Sequence, residues 1–289
     1  GLRLDTIKPG PEVLESLLGA SRDHTRAVIV DQYDYEAADM RAIQGMGFKC
    51  LWVADEPEAS HAVADWVLSP GVGAQAPAIR HRLKSFREGQ ILQGASFALV
   101  RGDFTSRHGS ALVEKTASEP WKLLIMFGGT DARGATIHTL ELLAEVLAGC
   151  GERAQIELVS GVGLQPHALD RVAKKFDGLR LHTGLSSADM AELMTRVHGA
   201  ITACGGTVGE LATLGVPFIG IQVAGNQGPT AEALKELFGL AVLDYASFDE
   251  DTLGAAWKIY CAQRQPWSKL LSQAYDGRGA ARVIEAVCS

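Results

Sequence analysis

The chain has 289 residues, with 27 basic and 34 acidic side chains, a hydrophobic fraction of 47% and a formal net charge of −7. This hydrophobic fraction excludes a wholly disordered chain, and the negative charge is of the wrong sign for a nucleic-acid-binding protein. No apolar run approaches the roughly 20 residues with which a helix spans a bilayer. At about 100–200 residues per domain, the length predicts two domains.

The cysteines and histidines show no spacing typical of metal ligands. The five cysteines, at positions 50, 150, 204, 261 and 288, form no CxxC pair, and the eight histidines form no HExxH motif. Scattered thiols of this kind are typical of a reduced, cytoplasmic protein, and no basic and apolar leader follows Gly1. The sequence therefore predicts no disulfide framework, no metal site and no cofactor.

Short apolar runs alternate with segments of helical period in the first part of the chain. A helix is predicted at 11–19, where Pro11 opens it and Gly19 ends it, and a second helix over about 36–46. Strands are expected at 27–31, 50–55, 65–69 and 96–100.

The polar segment 101–120, which has no clear period and ends in Pro120, is the best domain boundary in the sequence. We therefore predict a first domain at 1–104, a linker at 105–120 and a second domain at 121–289. No internal repeat and no low-complexity tract is visible in either part.

The second domain alternates strands and helices more regularly. Strands are predicted at 122–127, 155–159, 179–182, 199–202, 217–222 and 240–243. Helices are predicted at about 134–148, 166–176, 187–197, 207–214, 227–238, 248–263 and 279–287. Apolar runs without alternation indicate strands that are covered on both faces, so this part is predicted to be a doubly wound α/β domain with a parallel sheet.

Two glycine turns of this domain share the sequence GGT, each between a predicted strand and a predicted helix. In an open parallel sheet, ligands bind at the carboxyl ends of the strands, where such turns lie. Their backbone N–H groups, the positive helix end and a Thr hydroxyl can hold a phosphate, although each turn equally fits a tight strand-to-helix connection. Neither is a GxGxxG fingerprint or a P-loop. The six residues are Gly128, Gly129, Thr130, Gly205, Gly206 and Thr207.

Polar side chains near the second turn have two readings each. Glu210 can form a capping box with Thr207, or its carboxylate can accept hydrogen bonds from ribose hydroxyls. Asn226 can cap a helix, or it can join Gln227 in contacting hydroxyl or acylamino groups of a ligand. Cys204 touches the turn and is expected to be a packing residue.

Polar groups also follow the strands of the first domain. Asp31, Tyr33 and Asp34 come after the strand at 27–31, where an acid and a phenol can transfer a proton or hold a sugar. A hydrogen-bonded turn explains them equally well. A looser group of the same kind contains Asp55, His61 and Asp65.

A series of sequence blocks, in one order and spacing, resembles a known family. The blocks are VIVDQY (28–33), AD (54–55), SHAVAD (60–65), ILQGASFALVRGDF (91–104), LLIMFGGTDARGAT (123–136), MAELM (190–194), ITACGGTVGELATLGVP (201–217), VAGNQ (223–227) and DGRGAARV (276–283). They are similar to the UDP-sugar hydrolases of pseudaminic acid biosynthesis, which remove UDP from UDP-2,4-diacetamido-2,4,6-trideoxy-β-L-altrose. The match runs from near residue 9 to the end of the chain.

This resemblance implies the GT-B fold of the lipid I N-acetylglucosaminyltransferase, with two Rossmann-like domains facing a cleft. It implies that water attacks the anomeric carbon with inversion, or an equivalent C–O cleavage, and that helix N-termini meet the charge of the leaving UDP. The implied partner is a UDP-sugar, without nucleic acid or membrane. The implied catalytic residues are Tyr33 and Asn226, and the implied substrate-binding residues are Asp31, Gly128, Gly129, Thr130, Gly205, Gly206, Thr207, Glu210 and Gln227.

Two departures from the family pattern lead to a further expectation. The family's N-terminal Gly-x-Gly-His segment, whose histidine is assigned as the catalytic base, has no match, and Gln32 stands where the family has a histidine. We therefore expect the first domain to lack about 50–60 residues, with its first strand–helix units. A GT-B glycosyltransferase and a nucleotide-sugar-binding domain without catalysis remain alternatives. Nothing in the sequence indicates an oligomeric state.

Overall fold

The computed structural model describes residues 27–32, 34–76, 81–111, 114, 116, 118–128, 131, 133–160, 164 and 166–288. The helix predicted at 11–19 and the site residues Tyr33, Gly129 and Thr130 lie outside this part of the chain. The described residues form two parallel sheets, one of four strands and one of six, each with helices. The fold class predicted from the sequence is confirmed.

The first sheet has its strands in the order β1-β2-β3-β4, all parallel. Its buried side chains include Met40 and Ile43 of the helix that joins β1 to β2, packed against Cys50 and Trp52 of β2. The elements are β1 (Ala27–Val30), α1 (Ala37–Gly45), β2 (Lys49–Val53), β3 (Trp66–Ser69) and β4 (Ile91–Gln93).

The strand predicted at 96–100 is wrong, because the fourth strand lies earlier and is only three residues long. Gly94 follows β4 with a φ of 86°, a left-handed conformation that turns the chain out of the sheet. A short 3₁₀ turn, Ala95–Phe97, then takes up the start of the apolar run that the sequence analysis assigned to the strand.

The second sheet has the strand order β10-β9-β8-β5-β6-β7 and is also entirely parallel. Its strands are β5 (Trp121–Met126), β6 (Ala154–Val159), β7 (Gly178–His182), β8 (Gly199–Ala203), β9 (Phe218–Gln222) and β10 (Val242–Asp244). Its helices, after the short α2 (Gly102–Thr105), are α3 (Ala135–Gly149), α4 (Pro166–Ala173), α5 (Ser187–Thr195), α6 (Thr207–Leu214), α7 (Gly228–Phe238), α8 (Glu250–Ala274) and α9 (Gly279–Cys288). The six predicted strands are confirmed.

The seven helices predicted for this part are confirmed, but the one predicted at 248–263 continues to Ala274. The chain stays helical through Pro266, which removes a backbone donor and costs about 3 kcal/mol in a helix interior. Trp267 and Leu271 follow it and are fully buried, and each such side chain contributes about 1.5–3 kcal/mol. Their burial offsets the cost of the proline, which explains why the helix continues.

Helix α9 packs against the first sheet, although it follows the second sheet in the chain. Its Val283 and Val287 join Leu51, Leu68 and Leu92 in one buried cluster. These apolar contacts tie the end of the chain to the first sheet.

Polar contacts hold the same helix in place. Arg282 forms an ion pair with Asp276 and donates from Nη1 to the carbonyl of Ser96 at 2.8 Å. Hydrogen bonding from Arg282 is the main cause that lowers the pKa of Asp276 to about 2. The pair is therefore charged at neutral pH and fastens α9 to the turn after β4.

Gly279 is the point of closest approach between α9 and that turn. A Cβ at this position would lie 2.1 Å from the carbonyl oxygen and 2.8 Å from the amide nitrogen of Ala98. Gly279→Ala should therefore lower the free energy of unfolding by about 1–3 kcal/mol or more, measured by urea denaturation.

The matched control is Gly254→Ala in α8, where the new Cβ would meet only Val146, at an ordinary 3.8 Å. This substitution should stabilise the protein by up to about 1 kcal/mol through helix propensity. Equal unfolding midpoints for the two variants would contradict the close approach of Gly279 to Ala98.

Candidate functional site

A cleft of about 820 Å³ lies between the two sheets, at the carboxyl ends of their strands. In open parallel sheets this edge is where ligands bind, because the loops after the strands converge there. The cleft is lined by residues from the loops that follow β2, β3, β8 and β9, among them Asp55, Gly73, Gly205 and Gln227. The cleft is the candidate functional site.

Its floor is a tight contact between the two halves of the molecule. The 3₁₀ turn Val72–Gln75 packs against α7, and a Cβ on Gly73 would lie 2.9 Å from the Oγ1 of Thr230. Tyr275 is buried beside them, and the backbone of Val72 hydrogen-bonds its hydroxyl. Burial raises the pKa of Tyr275 above its ordinary value, so the phenol is neutral and acts as a structural contact.

The second GGT turn brings the amino-terminal end of α6 to the cleft. Gly205, Gly206, Val208 and Gly209 line the cavity, while Thr207 is the first residue of the helix. Gly206 is the N-cap and supplies no side-chain cap to the helix. The positive end of the helix dipole therefore faces the cavity, which favours an anion there.

Glu210 lines the cleft and is held by Arg101, a residue that the sequence analysis did not select. Arg101 donates from Nε at 3.1 Å and from Nη2 at 2.6 Å, in both cases to Oε1 of Glu210. The capping-box reading of Glu210 is wrong, because the helix carries no side-chain cap. The only sequence signal for Arg101 was its place in the block at 91–104.

Gln227 and Asn226 lie on the same wall of the cleft. The Oε1 of Gln227 accepts the backbone N–H of Val223 at 2.9 Å, which leaves its Nε2 beside Gly205 as a donor. Asn226 is exposed within the turn Gly225–Gln227. The N-cap reading of Asn226 is wrong, because the N-cap residue of α7 is Gln227.

The first GGT turn differs from the second. Gly128 is exposed with a φ of 87° and is not among the described residues that line the cleft. Asp131 caps the following helix, accepting from the N–H of Ala135 at 2.8 Å and of Thr136 at 3.1 Å. A role of Gly128, Gly129 and Thr130 in phosphate binding stays a prediction.

The first sheet supplies the opposite wall. Asp31 is exposed and is not among the described lining residues, whereas Gln32 and Tyr35 nearby are. Asp55 and His61 also line the cleft.

Asp65, the third member of the looser polar group, has a structural role. It accepts hydrogen bonds from Gln44 at 3.0 Å and from the backbone N–H of Cys50 at 2.9 Å. The structure therefore brings two of the three members of this group, Asp55 and His61, to the cleft.

Within the described part of the chain, no group of three Asp, Glu, His or Cys side chains comes together as a metal site. None of the helices described is long and apolar enough to cross a bilayer. None of the five cysteines, all within the described residues, forms a disulfide. Cys204 is buried next to the second GGT turn, and burial raises the pKa of its thiol to about 12, with Lys235 offsetting part of the rise.

We compared the chain with known protein families, sequences and structures. No protein-family model matches the chain. An uncharacterised protein of Methanocaldococcus jannaschii is 24% identical over 225 residues, which cover 76% of this chain and 44% of that protein. The chain thus spans less than half of the length of this curated relative.

Solved structures resemble the chain over almost its whole length. Acinetobacter baumannii MurG has a TM-score of 0.62 at 15% identity, over 96% of this chain and 76% of that chain. The putative UDP-N-acetylglucosamine 2-epimerase of Listeria monocytogenes has a TM-score of 0.62 at 14% identity, over 98% and 81%. Phytolacca americana UGT2, solved with UDP-2-fluoro-glucose and pterostilbene, has a TM-score of 0.62 at 13% identity, over 96% and 78%. The fold is that of GT-B glycosyltransferases and UDP-N-acetylglucosamine 2-epimerases.

The burial of Cys204 leads to a prediction about its reactivity. Because the thiolate is the reactive form, iodoacetamide at about pH 8 should label the exposed Cys150 and Cys288 and leave Cys204 and Cys50 unmodified. Peptide mass spectrometry of the native protein measures this, and labelling of all five cysteines in denaturant is the control. Labelling of native Cys204 as fast as Cys150 would show that it is not a buried packing residue.

Proposed function

We propose that the cleft binds a UDP-sugar and that the protein hydrolyses it, releasing UDP. The observation that carries this proposal is the convergence of Gly205, Gly206, Glu210, Asn226 and Gln227 on one cavity at the carboxyl ends of the strands. Two of the three similar structures described above are named for a UDP-sugar or contain one, which supports the nucleotide. The family resemblance supports hydrolysis.

In this proposal the wall formed by the second sheet holds the nucleotide. The amino-terminal end of α6 and the Nε2 of Gln227 offer donors to the diphosphate, beside Gly205. Glu210 accepts from the ribose hydroxyls. Both hydrogen bonds from Arg101 go to Oε1, so Oε2 is the atom of this carboxylate that we assign to the ribose.

The proposed reaction is attack of water on the anomeric carbon. The bond from the water oxygen to this carbon forms while the bond from the carbon to the phosphate oxygen breaks, and UDP leaves with the electron pair. Donors aimed at the diphosphate stabilise the charge that develops there. Asn226 on the cleft wall and Tyr33 are proposed to orient the reacting groups, and the attacking water releases its proton to solvent.

A glycosyltransferase is the second candidate. The similarity to MurG and to UGT2, solved with both a UDP-sugar and pterostilbene, favours it, because the same cleft would then admit an acceptor in place of water.

Release of UDP separates these functions. UDP-2,4-diacetamido-2,4,6-trideoxy-β-L-altrose and UDP-N-acetylglucosamine are incubated with the full chain without an acceptor, and free UDP is quantified by chromatography. We expect release from the altrose compound. Asn226→Ala, which removes a proposed catalytic amide, should lower the rate at least about tenfold and controls for a contaminating hydrolase. Release only on addition of an acceptor would favour the transferase, and UDP binding without any release would contradict both enzymes.

Binding of UDP tests the role of Glu210. Glu210→Ala removes the acceptor of the ribose hydroxyls and should weaken UDP binding about tenfold, measured by isothermal titration calorimetry. Arg101→Ala should weaken it less, about threefold, because the exposed guanidinium only positions the carboxylate.

Glu141→Ala is the matched control for Glu210→Ala. It breaks another arginine–glutamate pair, 2.6 Å from Arg171, whose residues are not among those lining the cleft. It should leave the affinity for UDP unchanged. Unchanged affinity in Glu210→Ala as well would remove Glu210 from the nucleotide site.

A further inference from the structure

His61 is the only histidine among the described residues that line the cleft. It lies in the 3₁₀ turn Ala59–Val63, which follows β2 and belongs to the wall opposite the second GGT turn. Its ring packs against Trp52, with the ring centroids 4.4 Å apart and the planes at 60°. The ring is therefore held in place against the first sheet.

One nitrogen of this ring has a defined role. The backbone N–H of Glu58 lies 2.9 Å from Nδ1 of His61, whereas the carbonyl oxygen of Glu58 lies farther from it, at 3.3 Å. A backbone N–H can only donate, so the shorter of the two contacts assigns Nδ1 as an acceptor without a proton. In the neutral ring the proton then resides on Nε2, which makes Nε2 a hydrogen-bond donor.

The cleft that His61 lines is partly apolar. Val53, Ala54 and the exposed Leu99 line the same cavity. Ligand pockets commonly combine such apolar surface with a few polar groups that fix orientation. A cavity that offers both a donor and apolar surface matches an acylamino group, which presents a carbonyl oxygen and a methyl group.

We propose that His61 donates its Nε2–H to the carbonyl oxygen of an acylamino group on the sugar of the bound UDP-sugar. This inference rests on the proposed function, because the nucleotide on the opposite wall directs the sugar toward His61. His61 is then a residue that determines specificity for N-acylated sugars. It is not the general base of the reaction, since the nitrogen that is left for the ligand already carries the proton.

The tautomer is tested first, and without a ligand. Nitrogen-15 NMR of the histidine side chains at about pH 8, where an unperturbed imidazole is neutral, reports which ring nitrogen carries the proton. The His61 signals are assigned by their loss in His61→Gln. We expect the proton on Nε2, and a proton on Nδ1 would overturn the inference.

The contact with the sugar is tested by calorimetry with UDP and with UDP-N-acetylglucosamine. The measured quantity is the ratio of the two dissociation constants. We expect the wild type to bind the sugar nucleotide more tightly than UDP, and His61→Phe, which keeps a ring against Trp52 but has no donor, to reduce this preference about tenfold. His61→Gln, whose amide can donate from a similar position, should restore most of it. His108→Gln, at an exposed histidine outside the lining, is the control and should change nothing.

The outcomes separate the two proposals. If the wild type fails to bind UDP, the proposed function fails, and the role of His61 falls with it. If the wild type binds UDP but prefers UDP-N-acetylglucosamine no more than His61→Phe does, the nucleotide site stands and the contact of His61 with the sugar is overturned. The contact of His61 with the sugar is also overturned if His61→Phe weakens the binding of UDP and of UDP-N-acetylglucosamine by the same factor. Such a result would mean that the substitution does not act on the sugar.

Discussion

The cleft depends on two places where backbones meet without room for a side chain. At Gly279 the carboxy-terminal helix α9 touches the backbone of Ala98, and at Gly73 the first half of the molecule touches Thr230 at the start of α7. The first contact fixes α9 to the turn after β4, and the second joins the two halves of the molecule, while Val283 and Val287 of α9 fill the apolar surface of the first sheet. Packed contacts of this kind have little freedom to slide, so they set the spacing of the two walls in this structure.

The walls joined in this way offer different chemistry. The wall of the second sheet presents a helix amino terminus and the donor amide of Gln227, groups that suit an anion. The wall of the first sheet presents the ring of His61 and carboxylates such as Asp55 next to apolar side chains, groups that suit a neutral, polar and partly apolar ligand. A nucleotide sugar has these two chemical characters at its two ends, which is why we propose this cavity with unlike walls as its binding site.

What the sequence could predict follows from the range of the interactions involved. The strands of the second sheet were predictable because a buried parallel strand such as β8 is an unbroken apolar run. The three-residue β4 was missed because the longer run after it looked more like a strand, and the φ of Gly94 is what ends the sheet there. The readings of Glu210 and Asn226 as caps failed for another reason. Spacing reports only local partners, whereas Arg101 reaches Glu210 across 109 positions of the chain.

The pair of Arg101 and Glu210 connects the fold to the proposed binding site. Arg101 stands at the start of α2, in the segment that links the two sheets, and its side chain is 56% exposed while that of Glu210 is 18% exposed. An ion pair with one exposed partner contributes little stability, about 0–1 kcal/mol, so stability alone does not explain it. Its effect is geometric, because two hydrogen bonds to one oxygen restrict the orientations of the carboxylate before a ligand arrives. Less conformational entropy is then lost on binding, so a weak surface contact between the linking segment and α6 strengthens the proposed contact with ribose.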